Sequence, residues 1–196
     1  MMDATDLRDA VREAYSAASD DPTAKHPFPV GRAFAESVGY PPEQLDSVPP
    51  AAADGFAGVS NVANFAEIPV GSVVLDLGCG AGLDALIAGR RTGPTGKVYA
   101  VDFSPAMLER ARRAAREVNA TNVEFIQADA ERIPLLDATI DVAIVNGIFN
   151  LNPQRSELFR ELARVVRPGG QVFGAELILV EPLPETERTS ATNWFA

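Results

Sequence analysis

The residues Asp76-Leu77-Gly78-Cys79-Gly80-Ala81-Gly82 carry the densest chemical signal in the chain. Glycines at alternate positions let a backbone turn sharply and approach a ligand with no Cβ in the way. A helix amino terminus behind such a loop favours an anionic group, a carboxylate or a phosphate. Two further acids, Asp102 and Asp129, close the next two apolar runs. A carboxylate at Asp102 can accept from both hydroxyls of a ribose, and one at Asp129 from the amino group of an adenine. Singly, each acid reads equally well as a solvated strand end. Jointly, a glycine loop, a diol acceptor and an amine acceptor describe an adenosyl ligand. The dinucleotide fingerprint Gly-x-Gly-x-x-Gly fits poorly, because Leu83 stands at its third glycine.

These residues need strands to place them. Val73–Leu77, Lys97–Val101, Val123–Gln127, Ile140–Val145 and Gln171–Val180 read as strands one to five. Helical patterns alternate with them, from about Leu83 to Arg91, after Ser104-Pro105, and from about Gln154 to Val166. Serine as N-cap and proline at the first helical position open the second of these, and Met107, Leu108, Ala111, Ala114, Ala115 and Val118 form its apolar stripe. In the third, Leu158, Phe159, Leu162, Val165 and Val166 share a face, and Arg167-Pro168-Gly169-Gly170 is its expected stop. Alternation of this kind predicts an α/β fold, a doubly wound parallel sheet with helices on both faces.

The first 70 residues differ. Leu7, Ala10, Val11, Ala14 and Tyr15 recur at helical spacing, a second helix is expected near Gly31–Val38, and the pairs Pro41-Pro42 and Pro49-Pro50 read as boundaries. The organisation expected is a helical cap over 1–70, a ligand-binding core over 71–184 and a short tail over 185–196.

Composition narrows the chemistry. Lys and Arg number 17 against 27 Asp and Glu, a formal charge of −10, where a nucleic-acid surface would need a basic stripe. The arginines at 110, 112, 113 and 116 are the local exception and read as a solvated helix face. With Cys79 the single cysteine and His26 the single histidine, no disulfide, multi-cysteine zinc site or His-pair metal motif can form within the chain. A hydrolase triad would have to run through His26, and no Gly-x-Ser-x-Gly elbow is present. No apolar run approaches a membrane span, and the acidic amino terminus lacks the basic and then apolar order of a secretory signal. The expectation is a cytoplasmic protein with a small-molecule partner, no nucleic acid, no membrane and no metal.

The ordered set Asp76–Gly82, Val101-Asp102-Phe103-Ser104-Pro105-Ala106-Met107-Leu108, Asp129-Ala130-Glu131-Arg132-Ile133-Pro134 and Leu162–Gly170 resembles the class I S-adenosylmethionine-dependent methyltransferases over about Gly71–Pro184. The resemblance implies a Rossmann-like methyltransferase sheet, here with five strands in the order 3-2-1-4-5. It implies S-adenosylmethionine as cofactor, with S-adenosylhomocysteine as product. The implied cofactor contacts are Asp76 with the glycine loop (Gly78, Cys79, Gly80 and Gly82) against the methionine part, Asp102 for the ribose hydroxyls, Asp129 and Ala130 bordering the adenine, Asn146 at the methyl end, and Phe103 and Met107 besides. Tyr15 and the Gly55–Asn64 loop would close over it. No acid–base pair stands out as catalytic, consistent with methyl transfer to a soft nucleophile.

A narrower resemblance is to the arsenite methyltransferases. It rests on Asp141–Pro153, Gly93-Pro94-x-Gly-Lys97, Gly55-Phe56-Ala57-Gly58 and Glu176–Pro184. The departures fall at the arsenic ligands: Ala57 and Gly147 stand where that family has cysteines, and As(III), a soft centre, is held by thiolates. The acceptor is therefore open. The resemblance also implies a longer carboxyl end, so the expectation is that Ala196 precedes a UGA codon or that the chain was cut there. A five-stranded sheet would leave strand five as an open edge, where a homodimer is expected. Two other readings compete: an S-adenosylmethionine-binding domain without turnover, and a nicotinamide-dependent reductase. The glycine spacing and the lack of a Tyr-x-x-x-Lys pair count against the reductase.

Overall fold

The computed structural model describes residues 4–178 and 180. Five parallel strands form one sheet: β1 (Val73–Leu77), β2 (Lys97–Asp102), β3 (Val123–Gln127), β4 (Ile140–Asn146) and β5 (Val166–Ala175). Their order is β3-β2-β1-β4-β5, the doubly wound arrangement the sequence predicts. Eight helices accompany them among the described residues: α1 (Ala4–Asp20), α2 (Arg32–Ser37), α3 (Pro42–Asp46), α4 (Pro50–Asp54), α5 (Val62–Phe65), α6 (Leu83–Thr92), α7 (Pro105–Glu117) and α8 (Arg155–Val165).

Strand side chains alternate between faces, and two cores result. Val74, Val98, Ala100, Val142 and Ile144 face α6 and α7. Leu75, Leu77, Val101, Ala143 and Val145 face α8. Both faces are thus apolar, as buried parallel strands require. Leu45, Ala52 and Val62 of the short amino-terminal helices, with Val48 and Phe56 from the turns between them, join the first core directly.

Local chemistry explains the element ends. Ser104 caps α7 by accepting from the Met107 N–H at 3.3 Å, with Pro105 at the first helical position. Gly93 closes α6 with its N–H on the Gly89 carbonyl. The proline pairs do more than bound a helix. Pro41 and Pro49 are extended, and Pro42 and Pro50 begin α3 and α4. A proline extends the residue before it and costs a helix nothing at its first turn, where the N–H has no partner anyway.

Three expectations are corrected. β5 begins at Val166 and ends at Ala175, whereas Gln171–Val180 was expected. Val166 pairs with Ile140 and Gln171 with Val142, so Arg167–Gly170 form an irregularity inside the strand after stopping the helix. Arg167 anchors it through a 2.6 Å bond to Asp141 Oδ1. Phe159 is 51% exposed and stacks on Phe149 at 4.9 Å, off the buried face of α8. Val118, outside α7, is at the margin of its stripe and partly exposed. The tail over 185–196 lies outside the described residues.

Candidate cofactor and acceptor cleft

Register brings the acids together. Leu77 pairs with Val101 on one side and Val145 on the other, so the residues just beyond, Gly78, Asp102 and Asn146, emerge at one level. This is the point where crossovers leave β1 in opposite directions, the place where doubly wound sheets open a crevice. A cleft of about 1060 Å³, counting its open mouth, lies there.

The glycine loop forms its floor. The N–H groups of Gly78 and Cys79 both donate to the Val101 carbonyl, at 2.8 and 3.0 Å, and the Gly80 N–H donates to Asp102 Oδ2 at 2.9 Å. Gly80 has φ +51, and a Cβ there would meet nothing within 4 Å. The space it would point into is open for a ligand.

Asp76, Asp84 and Asp102 are buried at this floor. Burial pushes all three carboxyls above the ordinary carboxylate range. For Asp76 the charges of Asp84 and Asp102 add to the rise. Asp76 Oδ2 has no hydrogen-bond partner at all. A buried carboxyl oxygen without a donor is costly, and a cationic ligand would relieve it. Asp102 accepts from Gly80 on one oxygen and from the Ser104 N–H at 2.8 Å on the other. A carboxylate has about four acceptor sites, so each oxygen keeps capacity for a hydroxyl.

Asp76, Cys79, Phe103, Met107, Asp129, Ala130 and Asn146 also line the cleft, whereas Gly82 does not: the space a Cβ would take there is filled by Ala111 and Phe125, so its bareness serves packing against α7 and β3. Burial, then Asp102 and Asp76, push the Cys79 thiol well up, which holds it protonated; its S–H points at the Gly80 carbonyl, 3.8 Å away. Asp129, 47% exposed, takes an ion pair from Arg8 at 2.5 Å. The Asn146 amide is engaged by protein groups on both atoms: Oδ1 accepts from Val59 and Ser60 N–H, and Nδ2 donates to Ser60 O and Asp84 Oδ2. Among the described residues no cluster of three His, Cys, Asp or Glu suited to a metal occurs. His26 does not reach the cleft wall; its Nε2 lies 2.7 Å from the Asp21 carbonyl.

The amino-terminal helix forms the roof. Arg8, Val11 and Tyr15 of α1 line the cleft, together with Gly55–Gly58. Arg8 pairs with Asp129, the Arg12 guanidinium lies 5.6 Å from the centre of the Phe103 ring, and Ser16 meets Ser104 at 3.2 Å. These residues stand four apart, one helical stripe. Burial and the charges of Asp102 and Glu176 push the Tyr15 hydroxyl up, so it keeps its proton.

Sequence reading missed Arg8, Asp84 and Tyr40. Tyr40 donates to Asp84 Oδ1, a contact between residues 44 apart in sequence that no local pattern announces. Asp84 had a signal: an acid in the first turn of a helix whose residues up to Gly89 are otherwise apolar and buried.

Comparison with known proteins supplies the family. Residues 68–195 match the Methyltransferase domain model. An arsenite methyltransferase of Halobacterium salinarum is 37% identical over 150 residues, which span 76% of this chain and 38% of that protein. A demethylmenaquinone methyltransferase of Lactococcus lactis is 35% identical over 106 residues, 54% of this chain and 42% of that protein. The chain thus spans less than half the length of these curated relatives. An arsenic(III) S-adenosylmethionine methyltransferase from Chlamydomonas reinhardtii superposes with a TM-score of 0.62 at 31% identity, covering 82% of this chain and 54% of that one. On sequence, strand order and site position together, the chain belongs to the Methyltransferase domain family.

Proposed function

We propose that the protein is an S-adenosylmethionine-dependent methyltransferase acting on a small molecule. The observation that carries this is the unpartnered Asp76 Oδ2 beneath the glycine loop, whose Gly78 stands level with Asp102. Asp76 and the 78–82 loop would hold the amino-acid part, Asp102 the ribose, and Asp129 with Ala130 the adenine. When bound, the cofactor supplies an electrophilic methyl group on a sulfonium. The chain's residues bind and orient the two reactants and exclude water, which is the main demand of such a displacement.

The acceptor brings its own nucleophile. The cleft wall near Asn146 carries Ala57, Gly147, Ile148, Leu151 and Pro153, none of them an acid or base. Arsenite held by three thiolates does not suit this wall. Cys79 is kept as a thiol, and a Cβ at Gly147 would stand 3.0 Å from Val59 Cγ1 on a backbone with φ +80. A second reading, cofactor binding without turnover, is favoured by that same wall, which offers an acceptor no acid, base or thiolate.

A thermal melt tests the cofactor. S-adenosylhomocysteine at 100 times its Kd adds about 2.7 kcal/mol, which for this length raises Tm by roughly 5–10 °C. NAD should leave Tm unchanged. No rise at millimolar S-adenosylhomocysteine would overturn the reading. Binding without transfer to thiol, selenol or As(III) acceptors would select the second.

A further inference from the structure

Two loops meet over the cleft at a single side chain. Asn146, at the end of β4, pairs with the backbone of residues 59 and 60 as a strand neighbour would. Its Oδ1 accepts from the N–H groups of Val59 at 2.8 Å and Ser60 at 3.1 Å, and its Nδ2 donates to the Ser60 carbonyl at 2.7 Å. The same Nδ2 donates to Asp84 Oδ2 at 2.9 Å. Asp84 is buried in the first turn of α6, the helix that leaves the glycine loop. Its other oxygen accepts from Tyr40, whose hydroxyl also reaches the Ser60 carbonyl at 3.3 Å. Gly58 makes the approach possible, since a Cβ there would lie 2.6 Å from Asn146 Cγ.

Four segments are thereby tied: the end of β4, the helix behind the glycine loop, the 58–60 loop and the Tyr40 turn. Residues 57 and 58 wall the cleft on one side of this knot, and Gly78–Ala81 floor it on the other. We infer that Asn146 is a positioning residue that locks the 57–60 wall of the acceptor pocket to the cofactor loop through Asp84, so that the two halves of the site form together. The inference deepens the methyltransferase reading and rests on it for the word cofactor.

The bonding pattern gives a test that a merely structural residue would not pass. Asn146→Asp keeps the shape and replaces the amide donor by a carboxyl. Ionised, it faces the Asp84 carboxylate at the former hydrogen-bond distance; protonated, it donates to Asp84 and still accepts from Val59 and Ser60. Two acids so close share a proton and one titrates far above its ordinary range. The other titratable groups facing Asp84 are Tyr40 from the cap and Asp76 from β1, with Asp102 beyond it.

Two readouts are compared with wild type at each pH from 6 to 9: S-adenosylhomocysteine affinity by calorimetry, and amide exchange of Val59 and Ser60. N146D should bind within about threefold of wild type at pH 6 and at least tenfold more weakly at pH 9. Protection of the two amides should follow the same curve. N146A should be weak and unprotected at every pH. A mutant-to-wild-type ratio that stays constant with pH, or an N146A variant with wild-type affinity and protection, would overturn the role of Asn146. If wild type fails to bind S-adenosylhomocysteine, the cofactor reading falls, and the exchange profile still decides whether Asn146 holds the loop.

Discussion

Asp76 sets a conflict between folding and binding inside one carboxyl group. Its raised pKa means that the folded chain holds a proton that the unfolded chain, with a carboxylate near 3.8, has released. Stability therefore falls as pH rises from that unfolded value through the raised one, because the native state binds more protons across the window. Asp76→Asn should flatten this part of the stability profile, measured by urea unfolding between pH 5 and 8, and should abolish the Tm rise with S-adenosylhomocysteine. An unchanged ligand shift would remove Asp76 from the site. Asp102→Ala removes the acceptor of the Gly80 N–H as well as the expected diol acceptor. Hydrogen bonds to a charged group are worth about 1.5–3 kcal/mol, so affinity should fall roughly 10- to 100-fold by calorimetry. Both acids were legible in sequence because an acid closing an apolar run before a helix start is a local pattern, with the glycine loop after Asp76 and Ser104-Pro105 after Asp102. Tyr40 was not, and Asp84 showed only as an acid out of place in an apolar turn, since the bond between them arises only when the cap folds onto α6.

The helix α1 acts on this site from above. Its stripe of Arg8, Arg12 and Ser16 touches the segments after β3 and β2 and the start of α7. Arg8 occupies Asp129, the acid expected to face the adenine, so the ion pair straps the roof at the adenine end. Partly exposed pairs contribute about 0.2–1 kcal/mol. Arg8→Ala should therefore speed release of S-adenosylhomocysteine about two- to fivefold in stopped-flow measurements. Added salt should speed the wild type toward the variant while leaving the variant nearly unchanged. Equal salt responses would show that the pair does not hold the roof. The periodicity of α1 was readable in sequence, yet its target was not: helical spacing names a face and leaves its partner unspecified. The proline pairs show the same limit, since the signal that marks a boundary also begins a helix.

At the scale of the whole molecule, the parallel doubly wound sheet followed from alternating strands and helices, and its strand order from the resemblance to the methyltransferases. The irregular start of β5 did not, because Arg167–Gly170 satisfy a turn pattern and are drawn into the sheet only by β4 beside them. Among the described residues β5 pairs with β4 alone, and its Val172 is 47% exposed. We propose that this edge seats a second copy, so light scattering should give twice the chain mass; a monomer at high micromolar concentration would exclude it. No described helix is long and apolar enough to cross a membrane. The shared core also bears on the order of synthesis. Leu45, Phe56 and Val62 emerge from the ribosome well before Val142 and Ile144, with which they form one core. β1 likewise waits about seventy residues for β4, its neighbour on one side. The nascent chain thus carries uncovered apolar surface and a central strand with one open edge until β4 is made. Chaperone demand should be greatest for chains stalled between β3 and β4, the stretch in which the cap exists and the core beneath it still lacks Val142 and Ile144.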